Sequence, residues 1–271
     1  MTAHAPPNAT PCRRTWWPFL AAALAPIALA FVTWYGWYRL AGFSYATITA
    51  AQGAGVVLAL ALMAVFGIRW RELGLGLRHL VWAIVAGALA YALIMGIAAA
   101  ANLALDSAFP VLRPSYDLVA FLDNWLLTAL GEELLYAGVV FGLATRWLGS
   151  RRRWLAVLLT ALVFALAHLP GYLAAELAPA SVVGRMGLNT ASWVIFGTIY
   201  LLSGNLWLVV VAHAATDYGL TPLVTGEPLF GLLFMLVLVV AAYLQPRASP
   251  APGAAPPAAP PEGHRRSARA H

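Results

Sequence analysis

Gly131-Glu132-Glu133-Leu134-Leu135-Tyr136-Ala137-Gly138 sets two adjacent carboxylates inside a largely apolar run, residues 118–145, broken chiefly by Asp123 and Asn124. A run of that length crosses a bilayer, since ~30 Å of hydrocarbon takes about 20 helical residues. A charge near the centre of a span costs about 2.5–3.5 kcal/mol on insertion scales. A chain that keeps two such groups together is expected to use them, and the bland alternative is a structural pair packed on a neighbouring helix.

The rest of the composition agrees with a membrane setting. Of 271 residues, 62% are hydrophobic and 10% charged, against roughly 25% charged in a soluble domain. The chain reads as all-α, a polytopic bundle of about eight transmembrane helices. Its net charge of +6 comes from arginine alone, with no lysine. The arginines stand at the ends of apolar runs and in the tails, as topology determinants do, rather than on a nucleic-acid-binding face. Heavy alanine and arginine use without lysine associates with a GC-rich bacterial genome. The single Cys12 excludes an internal disulfide or a cysteine metal cluster.

Apolar runs over residues 16–38, 46–68, 80–103, 118–147, 154–168, 188–202, 206–220 and 228–244 supply the eight spans. Residues 1–15 form a cytoplasmic amino-terminal tail and 245–271 a disordered Pro/Ala/Arg tail, leaving a bundle over 16–244. Pro170 is expected to stop the fifth span, and 171–187 to be a loop or interfacial segment. Asp123 and Asn124 are expected to be wetted at the outer end of theirs. With eight spans, Arg13, Arg14, the arginines of 69–78 and 146–153, and those of the tail share one side; Arg39, Arg113 and Arg185 face the other. The positive-inside rule then puts both termini in the cytoplasm of a multi-pass inner-membrane protein. No internal repeat of the kind found in inverted-repeat transporters stands out.

Two further polar groups interrupt the apolar runs. Phe164 and His168 share a face of the fifth helix at i,i+4 spacing, as do His213 and Asp217 on the seventh. A lone membrane histidine is more often a packing residue than a catalytic one. Two histidines and three carboxylates on three helices are expected to converge, because ionisable groups in a bundle face inward and pair. Such a set can activate water through a carboxylate base, with imidazoles holding the water or an oxyanion. Glu132, His168 and His213 are also donors that suit a divalent metal such as zinc. The His-Glu-x-x-His signature of soluble zinc proteases is absent, so a metal is not demanded.

In order and spacing, Glu132-Glu133 with Gly138, Phe164 with His168, and His213 with Asp217 resemble the CPBP intramembrane proteases, which include the CAAX prenyl endopeptidases and bacterial Abi-type proteins. The likeness extends over about 69–220, taking in Glu72-Leu73-Gly74-Leu75 and Gly204-Asn205-Leu206-Trp207. It implies an eight-helix intramembrane (metallo)endopeptidase. Glu132 would be the general base on water, His168 would hold that water, His213 with Asp217 would stabilise the oxyanion, and Glu133 would orient its neighbours. Two positions depart from the pattern: Ala137 stands where the family has arginine, and Asp217 where asparagine is more usual. Arg146 and Arg185 are the available substitutes for the missing cation.

The leading expectation is therefore a glutamate-dependent endopeptidase acting on a peptide or membrane-protein substrate, reached from the cytoplasm or the bilayer, with no nucleic-acid partner. The alternative is a weak or inactive relative serving as a membrane immunity or scaffold protein. A proton-coupled transporter, with the same groups as a relay, is a third reading.

Overall fold

A computed structural model describes residues 15–42, 44–113, 115–225 and 228–246. The readings placed on Cys12, Arg13, Arg14 and the tail arginines lie outside the described residues. The described chain forms a helical bundle of α1 (Trp17–Ala41), α2 (Tyr45–Phe66), α3 (Leu77–Leu105), α4 (Leu118–Leu148), α5 (Arg153–Ala174), α6 (Pro179–Ser203), α7 (Leu206–Asp217) and α8 (Pro228–Leu244). Six of the eight are long and apolar enough to cross a membrane, and the protein is a multi-pass membrane protein. Rows of outward-facing apolar side chains, among them Val57, Leu89, Leu93 and Leu162, are exposed as a lipid-facing surface requires.

Helix starts follow local chemistry. Ser44 and Thr47 form a reciprocal capping box on α2, Asp117 caps α4 through the amide of Val119, and Asn205 caps α7 through the amide of Leu208. Pro179 opens α6, where a missing N–H costs nothing. The sixth span thus begins well before residue 188, and the loop expected over 171–187 shrinks to a short turn. The expected stop at Pro170 is also overturned: α5 runs through it to Ala174. One lost backbone hydrogen bond is tolerated inside a bundle where neighbouring groups pack around the break.

Successive helices alternate direction, so the bundle has two chemically distinct ends. At the arginine-rich end lie Arg69, Arg71, Arg78, Arg146 and Arg151 to Arg153, and α1 starts and α8 finishes there. The connector between α2 and α3 crosses this end through a 3₁₀ turn, Trp70–Leu73. Leu73 packs on Gly138 of α4, and Gly74 (φ +70°) passes so close to the α6–α7 turn that a Cβ would lie 1.9 Å from the Gly204 carbonyl oxygen. Asn205 ties the end together by donating to the His79 carbonyl and to Gln245.

At the opposite end, β1 (Val111–Leu112) pairs antiparallel with β2 (Leu223–Val224), a ladder not expected from sequence. α7 has twelve residues, about 18 Å at 1.5 Å per residue, too short to cross the bilayer. The chain beyond it, 218–225, is non-helical and braced by residues 111–113 and 115–117. Tyr116 donates to the Gly219 and Leu220 carbonyls, Arg113 N–H to Pro222, and Tyr91 of α3 to Leu223.

Candidate active site

The glutamate helix is not uniform. In α4 the α-helical turn Leu130–Glu133 is flanked by wider π-helical turns, Asn124–Ala129 and Leu134–Val140. Such bulges are frequently found at functional sites. Consecutive helical residues point about 100° apart, so the two glutamates cannot serve one spot. Glu133 turns inward and is completely buried, whereas Glu132 keeps 28% of its side chain exposed.

The inward carboxylate is taken up by α7. His213 Nδ1 lies 2.8 Å from Glu133 Oε1, and both groups are buried. The other ring nitrogen, Nε2, is 3.3 Å from Asp217 Oδ2 and 3.9 Å from Glu132 Oε2. One imidazole is thus ringed by three carboxylates. An ionised carboxylate only accepts hydrogen bonds, so either the ring carries both protons or a carboxyl brings its own. Phe196 stacks on the His213 ring at 5.0 Å and fixes its plane.

His168 reaches the site from α5. Its Nδ1–H donates to the Phe164 carbonyl at 2.8 Å, which in the neutral ring leaves Nε2 as an acceptor. The Phe164 ring is wedged between the two histidines, 4.5 Å from His168 and 6.2 Å from His213, with Tyr136 edge-on at 4.9 Å. Sequence spacing put Phe164 and His168 on one face, and their contact explains the pairing: the aromatic ring sets the distance between the imidazoles.

Glu132 and His168 line a cavity of about 350 Å³ bounded by α1, α2, α4 and α5, with Tyr172, Gln52 and Arg185 also on its wall. Glu132 Oε2 is buried, 3.9 Å from His213 Nε2 and without a hydrogen-bond partner among the described residues, while the part-exposed side chain lines the cavity. The five side chains singled out in the sequence fall into two layers. Glu132 and His168 face the cavity; Glu133, His213 and Asp217 form a network directly behind Glu132.

Several expectations change. Neither proposed substitute for the missing arginine serves Glu133: Arg146 pairs with Glu72 at the surface at 2.8 Å, and Arg185 sits over the Tyr172 ring at 5.9 Å. His213 is the partner instead. Glu133 Oε2, one turn before the fully buried Ala137, has no partner among the described residues. Asp123 and Asn124, expected to be wetted, are both part-exposed, and Asp123 accepts from Thr49. Asn189 donates to the Tyr172 hydroxyl at 2.8 Å. Tyr172, Gln52 and Arg185 were not legible as wall residues, because a lone polar residue near a span end gives no pattern.

The metal set expected from Glu132, His168 and His213 is not gathered into a cage. Among the described residues no three His, Cys, Asp or Glu side chains are placed to hold an ion together. Both nitrogens of His213 already face carboxylates, and one of those of His168 is committed to Phe164. No step below passes through a metal.

Residues 114–219 match the family model described as Type II CAAX prenyl endopeptidase Rce1-like. The match holds all five candidate side chains and ends just beyond Asp217. Over residues 114–219 the chain is therefore similar to the Rce1-like CAAX endopeptidases. No curated protein and no solved structure matches the chain.

Proposed function

We propose that the protein is a glutamate-dependent endopeptidase of the inner membrane, with both termini cytoplasmic, hydrolysing a peptide or membrane-protein segment held in the α1–α2–α4–α5 cavity. Water bound between Glu132 and His168 Nε2 attacks the carbonyl carbon of the scissile amide. Glu132 takes one proton from that water as the new C–O bond forms and the carbonyl oxygen becomes an oxyanion. His213, held by Glu133 on one side and Asp217 on the other, supplies positive charge near that oxygen. Protonated Glu132 then gives its proton to the amide nitrogen as the C–N bond breaks, leaving an acid and an amine. General-base assistance of this kind contributes about 10²–10⁴-fold, and a preorganised charge near the oxyanion adds to it.

The observation that carries this reading is the part-exposed Glu132 side chain on the cavity wall with His168, its carboxylate 3.9 Å from His213 Nε2. The test offers a quenched-peptide library to detergent-purified protein and compares it with Glu132→Ala and His168→Ala. Cleavage lost in both variants supports the proposal; equal background cleavage by all three sinks it. The latter outcome favours a peptide-binding immunity or scaffold protein, a reading that Ala137 and the unpaired Glu133 Oε2 make specific.

A further inference from the structure

We propose that the cavity is reached from the non-cytoplasmic face, so that the substrate is an exported peptide or the outer end of a membrane-protein helix rather than a cytoplasmic tail. This rests on reading the Glu132 cavity as the proteolytic site, but it stands on separate observations. The first is where the lining residues sit along their helices. Gln52 is in the second turn of α2, Tyr172 is at the end of α5, Ala175 and Leu177 follow it, and Arg185 is in the second turn of α6. All of these belong to the arginine-poor end, whereas Glu132 and His168 form the inner end of the same space.

The second observation is what closes the other direction. From Glu133 to Phe141 every residue of α4 is buried. Around this plug pack Val157, Ala161 and Trp193, and the connector presses Leu73 onto Gly138. A substrate coming from the arginine-rich end would have to pass through solid core, which is packed as densely as a crystal of small molecules.

Third, the arginine-poor end carries exposed charge beside the cavity. The ion pair Arg39–Glu176 (3.0 Å) links α1 to the α5–α6 turn beside the cavity, and both side chains are exposed, at 47% and 73%. The charge asymmetry then gives the direction. Seven connector arginines (69, 71, 78, 146, 151, 152 and 153) occupy the closed end and three (39, 113 and 185) the open one, and arginine in short loops favours the cytoplasm.

The experiment needs no turnover, so its failure and that of the protease reading can be told apart. In a Cys12→Ser background, which has no other cysteine, single variants Gln52→Cys, Ala175→Cys, Glu176→Cys and Arg151→Cys are made in the full chain. Each is treated with a small membrane-impermeant thiosulfonate in right-side-out and in inside-out vesicles. The expected result is labelling of Gln52→Cys, Ala175→Cys and Glu176→Cys in right-side-out vesicles only, and of Arg151→Cys in inside-out vesicles only. Labelling of Gln52→Cys and Ala175→Cys from the same side as Arg151→Cys overturns the proposal. So does labelling of these two from neither side while Glu176→Cys reacts. If Gln52→Cys fails to accumulate, Ala175→Cys, exposed beside the cavity, decides alone.

Discussion

Glu132 and Glu133 are consecutive in the chain, yet their environments give them different dependencies. Glu132 faces the cavity, so Glu132→Gln is expected to lower cleavage by about 10²-fold or more while leaving the melting temperature unchanged. Glu133 holds the buried ring of His213. Glu133→Ala should therefore cost about 1–3 kcal/mol of stability, the penalty for stranding a buried polar partner, as well as activity. Combined with His213→Ala it should cost less than the sum of the two single changes, because one interaction is lost only once; thermal unfolding in detergent measures both effects. Asp217→Asn is expected to keep a hydrogen-bonding partner beside His213 Nε2 and to bring an N–H donor that an aspartate lacks. Steady-state cleavage should then rise or hold, and a drop to background would show that the negative charge itself is required.

At the level of elements, the site depends on how α4 is wedged against its neighbours. The glycines of α4 at 131, 138 and 142 divide unevenly in how closely neighbours approach them. At Gly131 a Cβ would lie 2.6 Å from a methyl of Val56 in α2, and at Gly138 3.3 Å from Leu73, but at Gly142 it would meet nothing. Gly142→Ala should therefore raise the melting temperature, since alanine is about 1 kcal/mol better than glycine inside a helix. Gly74→Ala should lower it, by about 1–3 kcal/mol equivalent, because a positive φ is combined there with a collision against the Gly204 carbonyl. The connector crossing is not a detail of the fold: it closes the arginine-rich end and seats Leu73 against the helix that carries both glutamates.

At the scale of the whole molecule, polar groups from α4, α5 and α7 come together at mid-span while the surrounding surface stays apolar. Because no three donors are gathered as a cage among the described residues, chelation with phenanthroline or EDTA is expected to leave Glu132-dependent cleavage intact. Loss of cleavage that added zinc restores would require the site to rearrange around an ion. The bundle as a whole presents one arginine-rich end closed by packed core and one end with an exposed ion pair beside the Glu132 cavity. On the proposed reading that polarity, more than any single residue, sets which peptides can reach Glu132.

The sequence alone determined the class of protein: apolar runs of bilayer length specify membrane helices wherever they occur. It also picked out the carboxylates and imidazoles of the candidate site, because an ionisable group inside such a run is costly enough to stand out. The i,i+4 spacing put Phe164 with His168 and His213 with Asp217. Tertiary structure alone decided which partner each acid meets, because adjacent residues on α4 point to different neighbours and the distance from Glu133 to His213 spans eighty positions. It decided equally that α5 continues past Pro170 and that Gln52, Tyr172 and Arg185 share a cavity wall with Glu132 and His168. Each of these follows from packing between helices distant in sequence, which no local pattern encodes.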